Sequence, residues 1–165
     1  MTKICTKADY INSLKNRDLT IYLMGELVKD PLTHPIIKPS IEAMAETYAL
    51  ADRDPELATT ISPYTNKPIN RFLHIANSNE DLFMQNEMQR RLGQLTGTCF
   101  QRCVGMDAFN ALHSVTYEID EKYNTNYHDK FINFLTKMHE GNFVIGGAMT
   151  CLLYTSDAAD DSLGV

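Results

Sequence analysis

Two cysteines four positions apart, Cys99 and Cys103, are the residues of this chain whose type and spacing could do chemistry. On a helix that separation sets them about 40° apart around the axis and one turn apart along it, so both sulfurs leave one face. Two thiolates so placed suit one metal ion or one edge of an iron–sulfur cluster. The same pair suits two small, inert core residues, because free cysteine is among the most buried types. A complete cluster needs four ligands, and the remaining thiols are Cys5, at the terminus, and Cys151, in an anomalous tail. A self-sufficient cluster inside this chain is therefore not expected. His113 lies ten residues beyond Cys103, about a quarter-turn away and roughly 15 Å along the axis, and reads as a packed or hydrogen-bonded core histidine. His74, His128 and His139 read as solvated, and His34, beside Pro35, as a structural loop residue. No Ser-His-Asp arrangement, phosphate-cradling glycine loop or EF-hand spacing is present in the sequence.

The elements that must hold the pair are mainly helical. Between Thr98 and Tyr117 only Arg102 and Asp107 carry formal charge, which predicts a helix buried on nearly every side. Ser78 with Asp81 predicts the start of a preceding helix that carries Leu82, Phe83, Met88, Arg91 and Leu92 to about Leu95. Thr6 with Asp9 predicts a short capped helix, and Ser40 the cap of another with Ile41, Met44, Ala45, Tyr48 and Ala49 on one stripe. Asp54-Pro55 breaks that helix, with about one further turn over 56–60. A last helix is predicted over 126–140, with Phe131, Phe134, Leu135 and Met138 inward. A short strand pair turning at Gly25 is predicted within 20–28, and 143–149 reads as the first strand of a further domain. Residues 29–39 read as a proline-rich connector and 61–70 as a surface loop.

The 165 residues suffice for one ordinary domain, and 44% hydrophobic with 22% charged residues excludes a collagen-like or wholly disordered chain. A net charge of −6 without a basic run argues against nucleic acid and anionic membranes as partners. No apolar run reaches the length of a membrane span, and the N-terminus lacks the apolar core of a secretory signal. A cytoplasmic location is expected.

The run from Gln85 to Tyr127 and the adjoining His128 contain MQRRLGQLTGTCFQRCVGMDAFNAL and TYEIDEKYNTNYH. With HPIIKPSIEAMAETYALA, TNKPINRF and GAMT elsewhere, the chain from Thr6 to Thr150 resembles the 4-hydroxybutyryl-CoA dehydratase/vinylacetyl-CoA Δ-isomerases, within the 4-hydroxyphenylacetate 3-hydroxylase flavoproteins. The motif CFQRCVGMDAFNA is long and unusual, which makes the resemblance specific. It implies the helical N-terminal domain of an acyl-CoA dehydrogenase-like fold over 1–142, with a central β domain starting at 143–150. It also implies FAD, a [4Fe-4S] cluster, an acyl-CoA substrate and, at full length, a homotetramer. In the family the cluster ligands are three cysteines and one histidine. Cys99 and Cys103 match two of them, and the other two fall beyond residue 165. Met149 and Thr150 match the start of the family's flavin-binding loop. Gln101, Arg102 and Asp107 would brace or tune the cluster from nearby, and Arg90 and Arg91 could approach a CoA phosphate or form a solvated face. With half the cluster site, the chain alone is expected to be inactive. Two other readings stay open: the start of a flavin-dependent aromatic hydroxylase, which has no need of the cysteine pair, and a small helical binding module.

The last fifteen residues, CLLYTSDAADDSLGV, break from this pattern. CLLYTSDAAD resembles the translation of a sequencing-library adapter, and a natural acidic tail is the alternative. If 151–165 are non-native, removing Asp157, Asp160 and Asp161 takes the net charge from −6 to −3, and Cys151 leaves the ligand argument.

Overall fold

The computed structural model describes residues 3–15 and 17–146. It is mainly helical, as expected for the helical N-terminal domain of an acyl-CoA dehydrogenase-like fold. Met149, Thr150, Cys151 and the tail to residue 165 lie outside the described residues.

Helix α1 (Lys7–Leu14) starts with the capping box its sequence announces: the Asp9 N–H donates to Thr6 Oγ1, and the Asp9 carboxylate accepts from the Thr6 N–H. Strands β1 (Tyr22–Leu23) and β2 (Glu26–Leu27) form the small hairpin expected around Gly25. Met24 and Gly25 both have positive φ, at 53° and 83°, the signature of a tight two-residue turn. Helix α2 (Lys38–Arg53) begins before Ser40, which is therefore not its cap. Pro39 explains the difference, because a first-turn proline has no N–H to satisfy and its φ is already helical. Asp54 closes α2 and caps α3 (Pro55–Ala58) through its side chain on the Leu57 N–H.

Residues 61–70 are a surface loop only in their middle, over 62–67, and strands enter at both ends. Strands β3 (Thr59–Ile61) and β4 (Pro68–Asn70) pair antiparallel, Thr59 opposite Asn70 and Ile61 opposite Pro68, with Ile69 and Asn70 buried. The intervening turn folds around the buried Ser62, whose hydroxyl accepts from the N–H groups of Tyr64 and Thr65. Pro68 is tolerated because it sits at the strand's first position, where no ladder donor is lost. A 3-10 turn (Arg71–Leu73) leads towards α4 (Asn79–Thr96), which Ser78 caps on the Asp81 N–H and Gly97, with φ of 60°, terminates.

Helix α5 (Cys103–Tyr123) packs antiparallel to α6 (Tyr127–Gly141). Its burial is confined to Gly105, Met106 and Phe109, while Leu112, Val115 and Tyr117 are exposed. The expectation of an all-round buried helix therefore fails: Asp107 and Ala108 are exposed even in the first two turns, and beyond them α6 covers only one side. In α6, Phe131 and Leu135 point inward as expected, but Phe134 is 45% exposed. Leu82 and Phe83 of α4 are likewise exposed, and Gln85, Met88 and Leu92 form its buried face. Residues 143–146 are irregular rather than the start of a strand, and 147–149 lie outside the described residues.

The core has three apolar clusters: around Phe72, Met88, Leu92 and Phe100; around Leu73, Phe109, Phe131 and Leu135; and around Tyr10, Ala45 and Tyr48. A polar knot ties them at Asn142, which caps α6 in the left-handed region with φ of 48°. Its Oδ1 accepts from the Asn70 N–H at 2.8 Å and its Nδ2 donates to Ile4 O at 2.8 Å. Its carbonyl accepts from the Tyr48 hydroxyl at 2.7 Å.

Candidate metal centre

The cysteine pair sits where α4 ends and α5 begins. Cys103 is the first residue of α5, but Cys99 lies in the connecting loop, so the two are not one turn apart on a single helix. The reason is a change of period. From Cys99 to Arg102 the chain alternates, with Cys99 and Gln101 exposed and Phe100 and Arg102 buried. A residue period of 2, not 3.6, is what drives two anchors into the core from so short a loop. Gln101 takes positive φ, 54°, and its N–H donates to Cys99 Sγ at 3.4 Å. Arg102, the N-cap of α5, gives no side-chain cap, so first-turn N–H groups remain as donors beside Cys103.

Below the loop, Phe100 packs against Phe72 with ring centroids 5.5 Å apart, and half-buried Cys103 rests on the same cluster. Arg102 is 2% exposed. Its guanidinium carbon stands 4.8 Å from the Tyr48 ring centroid and 5.1 Å from that of Phe72. Nη1 donates to Thr47 Oγ1 at 2.9 Å and Nη2 to Phe143 O at 3.4 Å. Burial lowers the Arg102 pKa, opposed by the neighbouring Tyr48 and Tyr10 phenols. Asp107, also expected to brace this region, is exposed on α5, and Arg90 and Arg91 are exposed on α4.

Gly105 allows Ile145 to lie directly on the first turn of α5. A Cβ at this position would collide with the carbonyl oxygen and side chain of Ile145. Gly105→Ala is expected to cost about 1–3 kcal/mol, as overpacking of a tight contact does. Urea unfolding checks this, and unchanged stability would show that the contact is loose.

The histidines fall differently from their sequence reading. His74 and His139 are buried rather than solvated, while His128 is half-buried. His139 Nε2 lies 2.9 Å from Leu73 O, so it carries the proton, and Nδ1 accepts from the Ser62 hydroxyl at 2.8 Å. His74 Nε2 is 3.0 Å from Asp81 Oδ1. His113 packs edge-on to His128 and Phe131, in keeping with a packed residue, and His34 accepts the Ile36 N–H within its loop. Nothing in the polarity around 74 and 139 flags their burial. Their partners come from residues distant in sequence.

Burial pushes His139 below its ordinary 6.5, opposed by the Leu73 carbonyl and reinforced by His74. Burial and then His128 lower His113 in the same way. The unfolded chain therefore takes up protons that the fold refuses, so stability is complete above about pH 6.5 and declines as pH falls through that value. Asp81 does not interfere. Burial raises its carboxyl, but bonds from Asn77 and Ser78 and the proximity of His74 together hold it below 3.8, so its contribution is lost only in stronger acid. A melting temperature that drops between about pH 7.5 and 5.5 is expected, and a flat or rising profile would contradict the assignment.

Among the described residues, no group of three or more His, Cys, Asp or Glu side chains is placed to hold a metal. The loop and the start of α5 thus present two thiols beside first-turn N–H groups that have no intrahelical acceptor. Two thiols are chemically suited to an anionic, thiolate-ligated cluster, whose remaining ligands would have to come from outside the described residues.

The fold and the sequence together define the class. The family described as 4-hydroxyphenylacetate 3-hydroxylase N terminal matches residues 6–153, and the chain belongs to it. It is 48% identical over 150 residues to the 4-hydroxybutyryl-CoA dehydratase/vinylacetyl-CoA-Delta-isomerase of Clostridium aminobutyricum, covering 89% of this chain and 30% of that protein. An oxygen-tolerant archaeal 4-hydroxybutyryl-CoA dehydratase from N. maritimus superposes with a TM-score of 0.85 at 60% identity, over 88% of this chain and 29% of the other. The oxygenase component of 4-hydroxyphenylacetate 3-monooxygenase complexed with FAD shares the fold, with a TM-score of 0.58 at 22% identity over 84% of this chain and 29% of the other. The chain thus spans about a third or less of each relative's length.

Proposed function

We propose that this chain is the N-terminal part of a 4-hydroxybutyryl-CoA dehydratase/vinylacetyl-CoA Δ-isomerase, which converts 4-hydroxybutyryl-CoA to crotonyl-CoA by way of vinylacetyl-CoA. The observation that carries the reading is the 60% identity and 0.85 TM-score with a solved dehydratase, held across 88% of this chain. In this reading Cys99 and Cys103 ligate a [4Fe-4S] cluster, and Met149 and Thr150 contact FAD. Residues 1–142 form the helical domain, 143–150 begin the β domain and 151–165 are a non-native tail. When bound, the flavin supplies one-electron chemistry and the cluster iron a Lewis acid for the departing hydroxyl.

The chain's own part is to bind and to position. Cys99 reaches outward from a loop fixed by Phe100 and Arg102, and Cys103 is seated at the start of α5 on the apolar cluster. Cys99 is exposed and Cys103 half-buried, so both thiols could reach a cluster that the remainder of the protein would complete. The remaining ligands and most of the acyl-CoA pocket come from that remainder, so these residues alone are inactive. The whole protein works in the cytoplasm as a homotetramer.

The test is anaerobic expression of the full-length protein, followed by iron and flavin analysis and an assay with 4-hydroxybutyryl-CoA. Crotonyl-CoA formation is expected. Hydroxylation of 4-hydroxyphenylacetate with reduced flavin, and no dehydration, would instead favour the monooxygenase branch. Resequencing the DNA across codon 150 tests the tail: a frame that continues past GAMT is expected, and a stop after Val165 would remove the catalytic reading.

A further inference from the structure

Arg102 is the least expected residue in the interior. A buried guanidinium carries a large desolvation cost and is ordinarily matched by a carboxylate. Among the described residues, ion pairs form at Lys7, Arg53, His74 and Arg90, not at Arg102. Its partners are the Thr47 hydroxyl, the Phe143 carbonyl and the faces of Tyr48 and Phe72. A leucine or methionine would fill the same space without that cost. Only a planar, multiply hydrogen-bonding group also fixes direction. What it fixes is clear from its position: it is flanked by Gln101 at positive φ and by Cys103, and it is the second inward anchor of the loop that carries Cys99. Thr47 is itself held, its hydroxyl donating to Met44 O at 2.7 Å within α2. The chain of contacts therefore runs from a rigid helix, through the guanidinium, to the peptide between the two cysteines.

We propose that Arg102 is the positioning residue of the cysteine pair, presetting Cys99 as exposed and Cys103 as half-sheltered before any metal arrives. What the pair then holds rests on the function proposed above; the positioning itself does not.

The experiment is competitive alkylation with iodoacetamide on the full-length protein prepared without iron, with each cysteine quantified by mass spectrometry. In the wild type Cys99 is expected to react at least about 5-fold faster than Cys103, following exposure. Arg102→Met should bring the two rates within about 2-fold, because the loop opens locally without its anchor. Thr47→Val, which removes this acceptor together with the hydroxyl's bond to Met44 O, should fall between, and Arg102→Lys should restore part of the contrast. Leu135→Ala, a core truncation in another cluster, supplies a comparable loss of melting temperature and should leave the contrast intact. A contrast that survives Arg102→Met, or that Leu135→Ala abolishes equally, overturns the proposal. Reconstitution with iron and sulfide separates the two readings. If the wild type takes up no cluster, the dehydratase reading fails while the alkylation contrast still decides the role of Arg102. If Arg102→Met takes up as much iron as wild type at the same rate, the positioning role is refuted.

Discussion

Cys99→Ala and Cys103→Ala, each made in the full-length protein, are expected to lose cluster iron and dehydratase activity together. Even partners that only orient a metal ligand are worth about 10- to 100-fold in affinity or activity. Loss of a thiolate that contacts iron directly should cost at least about 100-fold. The two variants should differ in their effect on the fold. Cys99 is exposed in the loop, so its loss should leave the apo-protein's melting temperature unchanged. Cys103 packs on the cluster around Phe72 and Phe100, and truncating it should cost about 1 kcal/mol as well as the metal. Iron and acid-labile sulfide analysis beside a thermal melt separates the effects. Full iron content in either variant would refute the ligand assignment.

The largest effect on stability is expected at Asn142. Its side chain satisfies the Asn70 N–H and the Ile4 carbonyl, both buried, and its backbone occupies the left-handed region. Asn142→Ala leaves two buried groups unpaired, at about 1–3 kcal/mol each. Alanine keeps the Cβ that crowds this region but lacks the amide that eases asparagine into it, so it adds part of the left-handed penalty of about 1–2 kcal/mol. Asn142→Gly removes the same hydrogen bonds but relieves the backbone, so the order of stability should be wild type, then glycine, then alanine. Urea unfolding of the three proteins measures it. Alanine equal to glycine would mean that the left-handed backbone contributes nothing, and wild-type stability in both would dissolve the knot.

The parts of this fold legible in the sequence are those fixed by neighbours in the chain. Thr6 with Asp9 and Ser78 with Asp81 encode their helix starts within four residues, and the hairpin at Gly25 needs only its turn. Ser40 misled because Pro39 could enter the first turn of α2 ahead of it. The prolines of 61–70 suggested a loop, although Pro68 occupies a strand end where its missing N–H does no harm. At the cysteines the residue types were readable and the geometry was not. Polarity from 98 to 117 is compatible with one long helix, and the break at Gln101 follows from the pull of Phe100 and Arg102 into a core formed by α2 and the Phe72 region. The buried histidines were invisible for the same reason: His139 finds Ser62 across 77 positions and Leu73 across 66.

The Asn142 knot also has a kinetic consequence. It joins Ile4, Tyr48 and Asn70 to a residue at the far end of α6, and the bond to Ile4 closes a loop of 138 positions. Closure entropy grows only slowly with length, but it is spent before such a contact returns anything, so contacts of this span form late. Helices α4 to α6 can reach near-native packing through short connections while the N-terminal segment is still unbound. On a ribosome, Ile4 leaves the tunnel long before its partner has been synthesised. Helix α1 can settle on α2 early, but Ile4 must wait for α6, and the knot locks only once both ends of that loop have been made.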